Sequence, residues 1–282
     1  MTHALHVPLL TVENLRVSFQ LPTGTVDAVR GLSFTLGRER LGIVGESGSG
    51  KSQTGRAILG LTPSPGKMSA DKLVFDGVDL LSASSKILRQ IRGGRIAMVM
   101  QDPKYSLNPV MTIGAQIVEA YRAHKKTSWA EGRDRALAML EAVKIRDPGR
   151  VFHLYPHEVS GGMGQRAMIA MMLITDPDLL IADEPTSALD VTVQAEVLHI
   201  LDELVSERGM GLIFISHDLP LVSSFCDRVV VMYGGKVMEE LDASRLNEAT
   251  HPYTQGLLRC LPNLQKDVRP LPILNRDPAW AL

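Results

Sequence analysis

This chain has few cysteines and almost no net charge. Only Cys226 and Cys260 are cysteines among its 282 residues, and they form neither a Cys-x-x-Cys pair nor a framework of several bridges. A reducing compartment is therefore favoured. The formal net charge is −1, so no overall basic field is present to hold a nucleic-acid backbone, and we expect no nucleic-acid partner.

Long apolar runs are missing as well. The longest runs, such as Leu179–Ala182 and Val229–Tyr233, are far shorter than the roughly 20 residues that a membrane-spanning helix needs. Residues 1–10 contain no basic segment followed by a long apolar stretch, so no signal peptide is predicted. We expect a chain that does not cross a membrane by itself.

Short apolar runs do occur, and helical patterns separate several of them. Leu9–Phe19 and Val26–Leu36 favour a small antiparallel sheet. The later runs are typical of buried strands in a mostly parallel α/β sheet. These later runs are Leu41–Val44, Ile96–Met100, Leu179–Ala182, Leu212–Ile215 and Val229–Met232.

The pattern becomes helical in residues 103–174. Ile113–His124 and Trp129–Val143 are predicted amphipathic helices, and no strand-like run interrupts the stretch. We predict that this helical subdomain is inserted in one domain spanning residues 9–262. The remaining residues, 263–282, form a proline-rich tail that we expect at the surface.

A glycine-rich loop follows the predicted strand that ends at Val44. It fits the phosphate-loop pattern G-x-x-x-x-G-K-[ST] at every defined position, and an apolar-periodic helix follows it. Glycines permit a tight path in which successive backbone N–H groups surround a phosphate, and the start of the helix adds donors. A chance match is the alternative, which this context disfavours. The loop residues are Gly45, Glu46, Ser47, Gly48, Ser49, Gly50, Lys51 and Ser52.

Individual side chains in and beyond the loop predict Mg-ATP hydrolysis. Lys51 would reach the β and γ phosphates, and Ser52 would offer its hydroxyl to Mg²⁺. Asp183 and Glu184 end a buried strand, where the first acid can hold Mg²⁺ and the second can polarise the attacking water as general base. The alternative is that both acids cap the turn that Pro185 begins.

Four further segments resemble the motifs of ABC-type ATPases, in the order of that family. Val159–Arg166 resembles the signature, Gln101 the Q-loop glutamine, His217 the switch histidine and Ser187–Asp190 the D-loop. The resemblance covers about residues 9–262. It implies an α/β P-loop NTPase fold with a mostly parallel core sheet, a small antiparallel β-subdomain and an inserted α-helical subdomain.

The resemblance also implies a role for each motif. The signature of one subunit would close on the ATP held by another, the Q-loop glutamine would join Mg²⁺ and the water to the helical subdomain, and the switch histidine would contact the γ-phosphate. Phe19 matches the aromatic position that stacks on adenine, with a core phenylalanine as the alternative. Besides the phosphate loop, the residues assigned to the nucleotide in this way are Phe19, Gln101, Ser160, Gly161, Gly162, Asp190 and His217. The implied catalytic residues are Lys51, Glu184 and His217, and the implied metal ligands are Ser52, Gln101 and Asp183.

The signature departs from the usual family pattern at two positions, one of which resembles a branch of the family. Val159 stands where leucine is usual, and Met163 stands where glutamine is usual. The methionine resembles the branch that serves dipeptide, oligopeptide and nickel importers, and His251–Thr254 resembles a tail segment of that branch. Many of its members continue into a cysteine-bearing extension. Because Cys260 is the only cysteine near the tail here, we expect no iron–sulfur cluster.

The resemblance predicts an ATP-hydrolysing subunit of a multi-subunit importer, peripheral to the cytoplasmic face of the inner membrane. Peptides rank first as cargo, with nickel or metal-chelate complexes and opine-like compounds as alternatives. Two permease subunits would form the pathway, and a groove beside Gln101 would receive a helix from one of them. A second, related ATPase would complete a heterodimer, and an extracytoplasmic solute-binding protein would deliver the solute.

Three other functions fit the motifs less well. An ABC-type ATPase working on DNA or ribosomes would carry coiled-coil heptads or a second phosphate loop, and this sequence has neither. A small-molecule kinase has no use for the signature or the D-loop. A regulatory subunit that binds ATP without turnover is disfavoured by Glu184 and His217.

Overall fold

The computed structural model describes residues 7–102, 106–187, 189–261, 274 and 276–281. Ala188 of the predicted D-loop and most of the predicted tail lie outside these residues. The chain forms two compact units, one of residues 1–82 and 213–282 and the other of residues 83–212. We call them the phosphate-loop unit and the helical unit.

The secondary structure alternates short strands with helices. The strands are β1 (Leu10–Leu21), β2 (Gly24–Leu36), β3 (Arg40–Val44), β4 (Gly66–Ser69), β5 (Lys72–Phe75), β6 (Val78–Asp79), β7 (Ile96–Val99), β8 (Leu179–Asp183), β9 (Gly211–Ser216), β10 (Arg228–Tyr233) and β11 (Lys236–Asp242). The α-helices are α1 (Lys51–Ile58), α2 (Ser85–Ile91), α3 (Ile113–His124), α4 (Trp129–Ala142), α5 (Pro148–Phe152), α6 (Gly161–Leu173), α7 (Val191–Arg208), α8 (Leu219–Phe225) and α9 (Pro252–Arg259). Short 3₁₀ turns cover Pro156–Glu158, Ala243–Glu248 and Pro278–Ala281.

An antiparallel sheet forms one part of the phosphate-loop unit. β1 and β2 form a hairpin whose register runs from Leu10 opposite Leu36 to Leu21 opposite Gly24. β4 and β5 pair with β1 on its other edge, and β6 pairs with β5. The apolar side chains of β1 are buried where they alternate, as at Leu15 and Val17. The predicted antiparallel subdomain is thereby confirmed.

A second set of strands in the same unit carries the phosphate loop. Its order is β11, β10, β3, β9. β10 is parallel to β3, with Arg228 opposite Leu41 and Val231 opposite Val44, while β11 is antiparallel to β10. The side chains of Leu41, Ile43 and Val44 have no exposed surface, which explains the unbroken apolar run of β3, since a strand covered on both faces needs no polar alternation.

The helical unit combines a parallel strand pair with a cluster of helices. β7 and β8 are parallel, from Ile96 opposite Leu179 to Val99 opposite Ala182. Helices α3 to α6 pack on one another, and apolar residues such as Ile117, Leu140 and Met168 are fully or almost fully buried between them. No strand occurs in the described residues 106–174. The predicted limits of the inserted subdomain, 103 and 174, stay a prediction.

Helix ends follow local capping chemistry. α3 has the predicted bounds, and the Thr112 hydroxyl at its N-cap accepts from the Ala115 N–H. α4 ends at Ala142, one residue before its predicted end, because Val143 is the C-cap. None of the described helices is long and apolar enough to cross a membrane, as expected from the short apolar runs.

Candidate functional site

The phosphate loop joins β3 to α1 in a conformation that requires glycine at Gly50. Gly50 is the N-cap of α1, with a left-handed φ of 98°, and among the described residues no side chain caps the helix. A Cβ added at this position would lie 2.2 Å from the carbonyl oxygen of Ala28, so both the backbone angle and the space forbid a side chain. The start of α1 therefore presents main-chain N–H groups that no described side chain caps.

Lys51 lies across the loop rather than pointing into solvent. The side chain is buried, and its ammonium donates to the carbonyl oxygens of Gly45 and Glu46, each at 2.8 Å. Ser49 closes the turn by donating its N–H to the Glu46 carbonyl at 3.2 Å. The loop thus holds a buried positive charge against its own main chain. A positive charge at this place favours the binding of an anionic ligand.

Two neighbouring segments hold the loop in place. Gly235, just after β10, donates its N–H to the Ser49 carbonyl at 3.2 Å and accepts from Arg30 at 2.7 Å. The Glu46 N–H donates to the hydroxyl of Tyr253 at 3.3 Å. Burial raises the pKa of Tyr253 to about 12, so this hydroxyl stays neutral at ordinary pH. Tyr253 belongs to the family-like segment His251–Thr254, and its local sequence predicts no role for it at the loop.

Two other predicted nucleotide residues lie in the same unit. Phe19 is half-buried on β1, opposite Val26, and its ring packs close to Gly66. His217 is exposed and directly follows β9, before the Asp218 N-cap of α8. Their contacts with adenine and with the γ-phosphate stay predictions.

The acids at the end of β8 have different environments in the helical unit. Asp183 is the last residue of the strand and is 4% exposed, whereas Glu184 is half-buried with a left-handed φ of 47°. The side-chain amide of Gln101 donates to the Glu184 carboxylate at 3.2 Å. The structure therefore brings together two of the residues that the sequence assigned to water activation.

The turn after β8 is closed by hydrogen bonds to the main-chain carbonyl of Glu184. Both the N–H and the hydroxyl of Ser187 donate to the main-chain carbonyl of Glu184, at 3.3 and 3.2 Å. The carboxylate of Glu184 accepts a hydrogen bond from the side-chain amide of Gln101. The role of Glu184 as general base stays a prediction.

Gln165 is a residue whose role the sequence reasoning missed. Its side chain is buried within α6, and its amide donates to the carbonyl of Pro185, next to Glu184. A buried amide needs a partner, so this bond ties α6 to the turn that carries Glu184. The available signal was a glutamine on the apolar face of a helix, five residues after Ser160.

The signature residues form the start of α6. Ser160 is the N-cap, and its hydroxyl accepts from the Met163 N–H at 3.3 Å. Gly161 is exposed, and no described atom would lie within 4 Å of a Cβ added there. A Cβ at Gly162 would instead lie 2.6 Å from Cγ1 of Val193 on α7. Glycine is therefore required at Gly162 by the close approach of a neighbouring helix.

The end of the D-loop lies beside the contact between Gly162 and Val193. Asp190 is the N-cap of α7, and one carboxylate oxygen accepts from the N–H groups of Thr192 and Val193, both at 3.1 Å. Because Val193 also touches Gly162, the signature and the end of the D-loop are packed together within the helical unit. The predicted contact of Asp190 with nucleotide stays a prediction.

Comparisons with known proteins agree with this fold. A family profile described as ABC transporter matches residues 29–187. Among curated relatives, a putative peptide import ATP-binding protein of Brucella abortus is 48% identical over 95% of this chain and 81% of its own length. The dipeptide transport ATP-binding protein DppD of Haemophilus influenzae is 48% identical over 90% of this chain and 78% of its own length. The oligopeptide transport ATP-binding protein OppD of Escherichia coli is 47% identical over 92% of this chain and 77% of its own length.

Solved structures show the same architecture. The dimeric ATP-binding cassette MJ0796 bound to ADP and Pi has a TM-score of 0.74 at 25% identity, over 83% of this chain and 98% of that chain. The cbiO1 protein of Clostridium perfringens has a TM-score of 0.72 at 27% identity, over 89% of this chain and 95% of that chain. The resemblance stated from the motifs and the fold class that it implied are both confirmed. By its profile match, its relatives and its fold, this chain belongs to the ABC transporter family, among the ATPase cassettes.

Proposed function

We propose that this chain is the ATP-hydrolysing subunit of an importer for peptides, with separate permease chains forming the pathway. The ATPase class follows from the family. The cargo class is supported by relatives whose names describe peptide, dipeptide and oligopeptide import. Nearly half of the aligned residues are identical in these relatives, which supports a shared activity.

ATP would bind at the loop Gly45–Ser52. The main-chain start of α1 and the dipole of that helix favour an anion. Lys51 would exchange the carbonyls of Gly45 and Glu46, which its ammonium contacts, for phosphate oxygens. Because the loop is held by Gly235 and Tyr253, it would bind phosphate without first having to order itself.

The donor chemistry fits Mg²⁺ as the metal. Ser52 offers a hydroxyl, Gln101 an amide oxygen and Asp183 a carboxylate, and Mg²⁺ prefers hard oxygen ligands of these kinds. When bound, the ion would neutralise charge on the phosphates. Asp183 lies at the C-terminal end of a fully buried strand, which would hold its carboxylate in a fixed direction.

Glu184 would accept the proton of the attacking water. The contact between the Gln101 amide and the Glu184 carboxylate is the observation that carries this assignment, because it restrains the direction of the carboxylate. The left-handed backbone at Glu184 costs on the order of 1–3 kcal/mol, and strain of this kind concentrates at functional sites. Gln165, bonded to the next carbonyl, would stabilise that backbone.

Replacing Glu184 by glutamine tests the assignment. Glu184→Gln should lower kcat for ATP hydrolysis about 100- to 10,000-fold, the usual contribution of a general base, while the Kd for Mg-ATP stays within about twofold because charge is lost without loss of shape. The measurements are phosphate release and equilibrium binding. Glu141→Gln, at an exposed position of α4, is the matched control. Wild-type turnover by Glu184→Gln would remove Glu184 from this role.

The assembly would contain a second, related ATPase and two permease subunits. Ser160 of one ATPase would close on the nucleotide held by the other. This arrangement is supported by the similar ATP-binding cassette MJ0796, which is a dimer in its structure with ADP and Pi. A helix from a permease would enter the groove beside Gln101 and contact Asp102, Leu107 and Pro109, which line part of a cavity of about 540 Å³ in the helical unit. An extracytoplasmic solute-binding protein would deliver the peptide, and the chain would lie at the cytoplasmic face of the inner membrane. Residues lining the cavity include Asp102, Leu107, Pro109, Val159, Ser160 and Leu189.

The permease contact can be tested at the rim of this cavity. Val110 follows the lining residue Pro109 and is 79% exposed, so a helix that enters the cavity would contact its side chain. Affinity purification of the tagged chain from its native membrane should recover two permease chains. Val110→Lys should reduce that recovery about tenfold, because a charge would be buried at the contact. Val7→Lys, at an equally exposed valine of the other unit, is the control, and equal recovery from both variants would contradict the contact.

A further inference from the structure

A short segment near the end of the chain lies against the phosphate loop. The Arg276 guanidinium donates to both carboxylate oxygens of Glu46, from Nη2 at 2.6 Å and from Nε at 3.2 Å. Both residues line a cavity of about 490 Å³ whose wall includes the loop residues Ser47, Gly48 and Ser49. A side chain more than 200 positions away in sequence therefore contacts the second residue of the loop.

Apolar contacts hold this segment on both sides of Arg276. The ring of Trp280 lies 5.7 Å from that of Tyr253 and 6.0 Å from that of Tyr233. Leu274 packs on α9 so closely that a Cβ added at Gly256 would lie 2.3 Å from its Cδ1. Offset and edge-to-face aromatic contacts at these distances are stabilising. The guanidinium is thus presented by an anchored segment and not by a freely moving one.

The aromatic anchor also touches the loop itself. Tyr253, against which Trp280 packs, accepts the Glu46 N–H through its hydroxyl. Glu46 is therefore contacted twice, at its main chain by Tyr253 and at its side chain by Arg276. The two contacts fix both the backbone position of this residue and the direction of its carboxylate.

The charge of Glu46 gives these contacts a consequence for ATP. A carboxylate inside a loop that binds a polyanion repels the phosphates, and the repulsion is large where water is partly excluded. The Glu46 side chain is only 29% exposed, so solvent screens it incompletely. A bidentate guanidinium compensates this charge and restrains its direction.

We propose that Arg276 is a positioning residue for nucleotide binding, which neutralises the Glu46 carboxylate and, with Trp280, holds the phosphate loop in its binding conformation. The proposal rests on the binding of ATP at Gly45–Ser52. Arg276 acts through Glu46, and its loss weakens ATP binding without slowing the chemical step.

The first test is Arg276→Ala in the full chain. The KM and the equilibrium Kd for Mg-ATP should rise about three- to tenfold while kcat stays within about twofold, the pattern expected when ground-state and transition-state binding are lost equally. The increase should shrink at high ionic strength, because salt screens the uncompensated carboxylate. Arg259→Ala removes an exposed arginine at the end of α9 and should leave the KM and the Kd for Mg-ATP unchanged.

A double-mutant cycle identifies Glu46 as the partner. In a Glu46→Gln background the carboxylate is gone, so Arg276→Ala should change the Kd for Mg-ATP by less than about twofold. Arg276→Lys keeps the charge but loses the bidentate contact, so its Kd for Mg-ATP should lie between those of the wild type and Arg276→Ala. An equal effect of Arg276→Ala in both backgrounds would overturn the proposal, as would a Kd equal to that of Arg259→Ala.

Lys51→Ala separates this proposal from the assignment of the loop. If Lys51→Ala binds Mg-ATP as the wild type does, ATP does not bind at Gly45–Ser52 and the proposed function fails with it. If Lys51→Ala loses binding while Arg276→Ala retains it, only the role of Arg276 is refuted. Thermal unfolding of each variant shows whether an effect comes from loss of the fold. Because an exposed ion pair contributes little to stability, the unfolding midpoint of Arg276→Ala should match that of the wild type.

Discussion

The starts of α1 and α6 are both glycine-rich, yet they are built in opposite ways. At α1 the N-cap is Gly50, in a left-handed conformation, and no described side chain caps the helix. At α6 the N-cap is Ser160, in an extended conformation, and its hydroxyl caps the helix by accepting from Met163. One helix start exposes main chain, whereas the other places a hydroxyl at its tip.

The glycines at these two starts are required for different reasons. Gly50 is needed because of its own backbone angle and the adjacent carbonyl of Ala28, which cannot move without changing β2. Gly162 is needed because a side chain of another helix, that of Val193, fills the space beside it. A main-chain constraint should tolerate substitution less than a side-chain constraint, since side chains can repack.

The largest effect is therefore expected for Gly50→Ala. Strain from the positive φ and a 2.2 Å approach to the Ala28 carbonyl should together lower the free energy of unfolding by about 3 kcal/mol. Urea denaturation measures it. Gly48→Ala is the control, because φ is also positive there but no described atom lies within 4 Å of an added Cβ, and its cost should be about 1–2 kcal/mol from strain alone. Equal costs at the two glycines would show that the Ala28 contact is unimportant.

A smaller loss is expected for Gly162→Ala. The added methyl group would meet Cγ1 of Val193 at 2.6 Å, and overpacking of this kind costs about 1–3 kcal/mol. Gly161→Ala, where an added Cβ meets no described atom within 4 Å, should leave the unfolding midpoint almost unchanged. The second substitution Val193→Ala should restore part of the stability of Gly162→Ala. Without such a rescue, the contact between the signature and α7 would not explain the glycine.

The smallest stability effect is expected for Ser160→Ala. Loss of the bond from the Met163 N–H should cost about 1 kcal/mol, as for other N-cap serines, while Ser160→Thr keeps a hydroxyl and should lose less. If Ser160 also closes on the nucleotide of a partner, Ser160→Ala should abolish ATP-dependent dimerisation, measured by light scattering, despite this small loss. Dimerisation equal to that of the wild type would reduce Ser160 to a helix cap.

Most of the elements that surround these helix starts could be predicted from the chain alone. The helix α3 has the predicted bounds because its apolar spacing and its Thr112 cap are both local signals. The strand β3 and the loop after it were predicted for the same reason, since a buried run followed by a glycine-rich motif is written in consecutive residues. The strands β4 to β6 were not predicted. Each has four residues or fewer, and their pairing with β1 or with one another depends on partners elsewhere in the chain.

Side chains that act on the candidate site from a distance could not be predicted. Gln165 and Tyr253 were quoted within motifs, but nothing in their local sequence says that one donates to Pro185 and the other accepts from Glu46. Arg276 lies in a proline-rich tail that was expected only to be at the surface. Its contact with Glu46 joins residues 230 positions apart, and no periodicity or spacing records such a pair.

By itself, the sequence determined the phosphate loop, the acids at the end of β8, the order of the motifs and hence the family, because each of these is a local arrangement of residue types whose chemistry depends on spacing. Only the tertiary structure decided which side chains hold those motifs in place: Gln101 on the Glu184 carboxylate, Val193 against Gly162, and Tyr253 with Arg276 on Glu46. The physical reason is that hydrogen bonds and packing contacts act over a few ångströms in space, and folding brings residues together without regard to their separation along the chain.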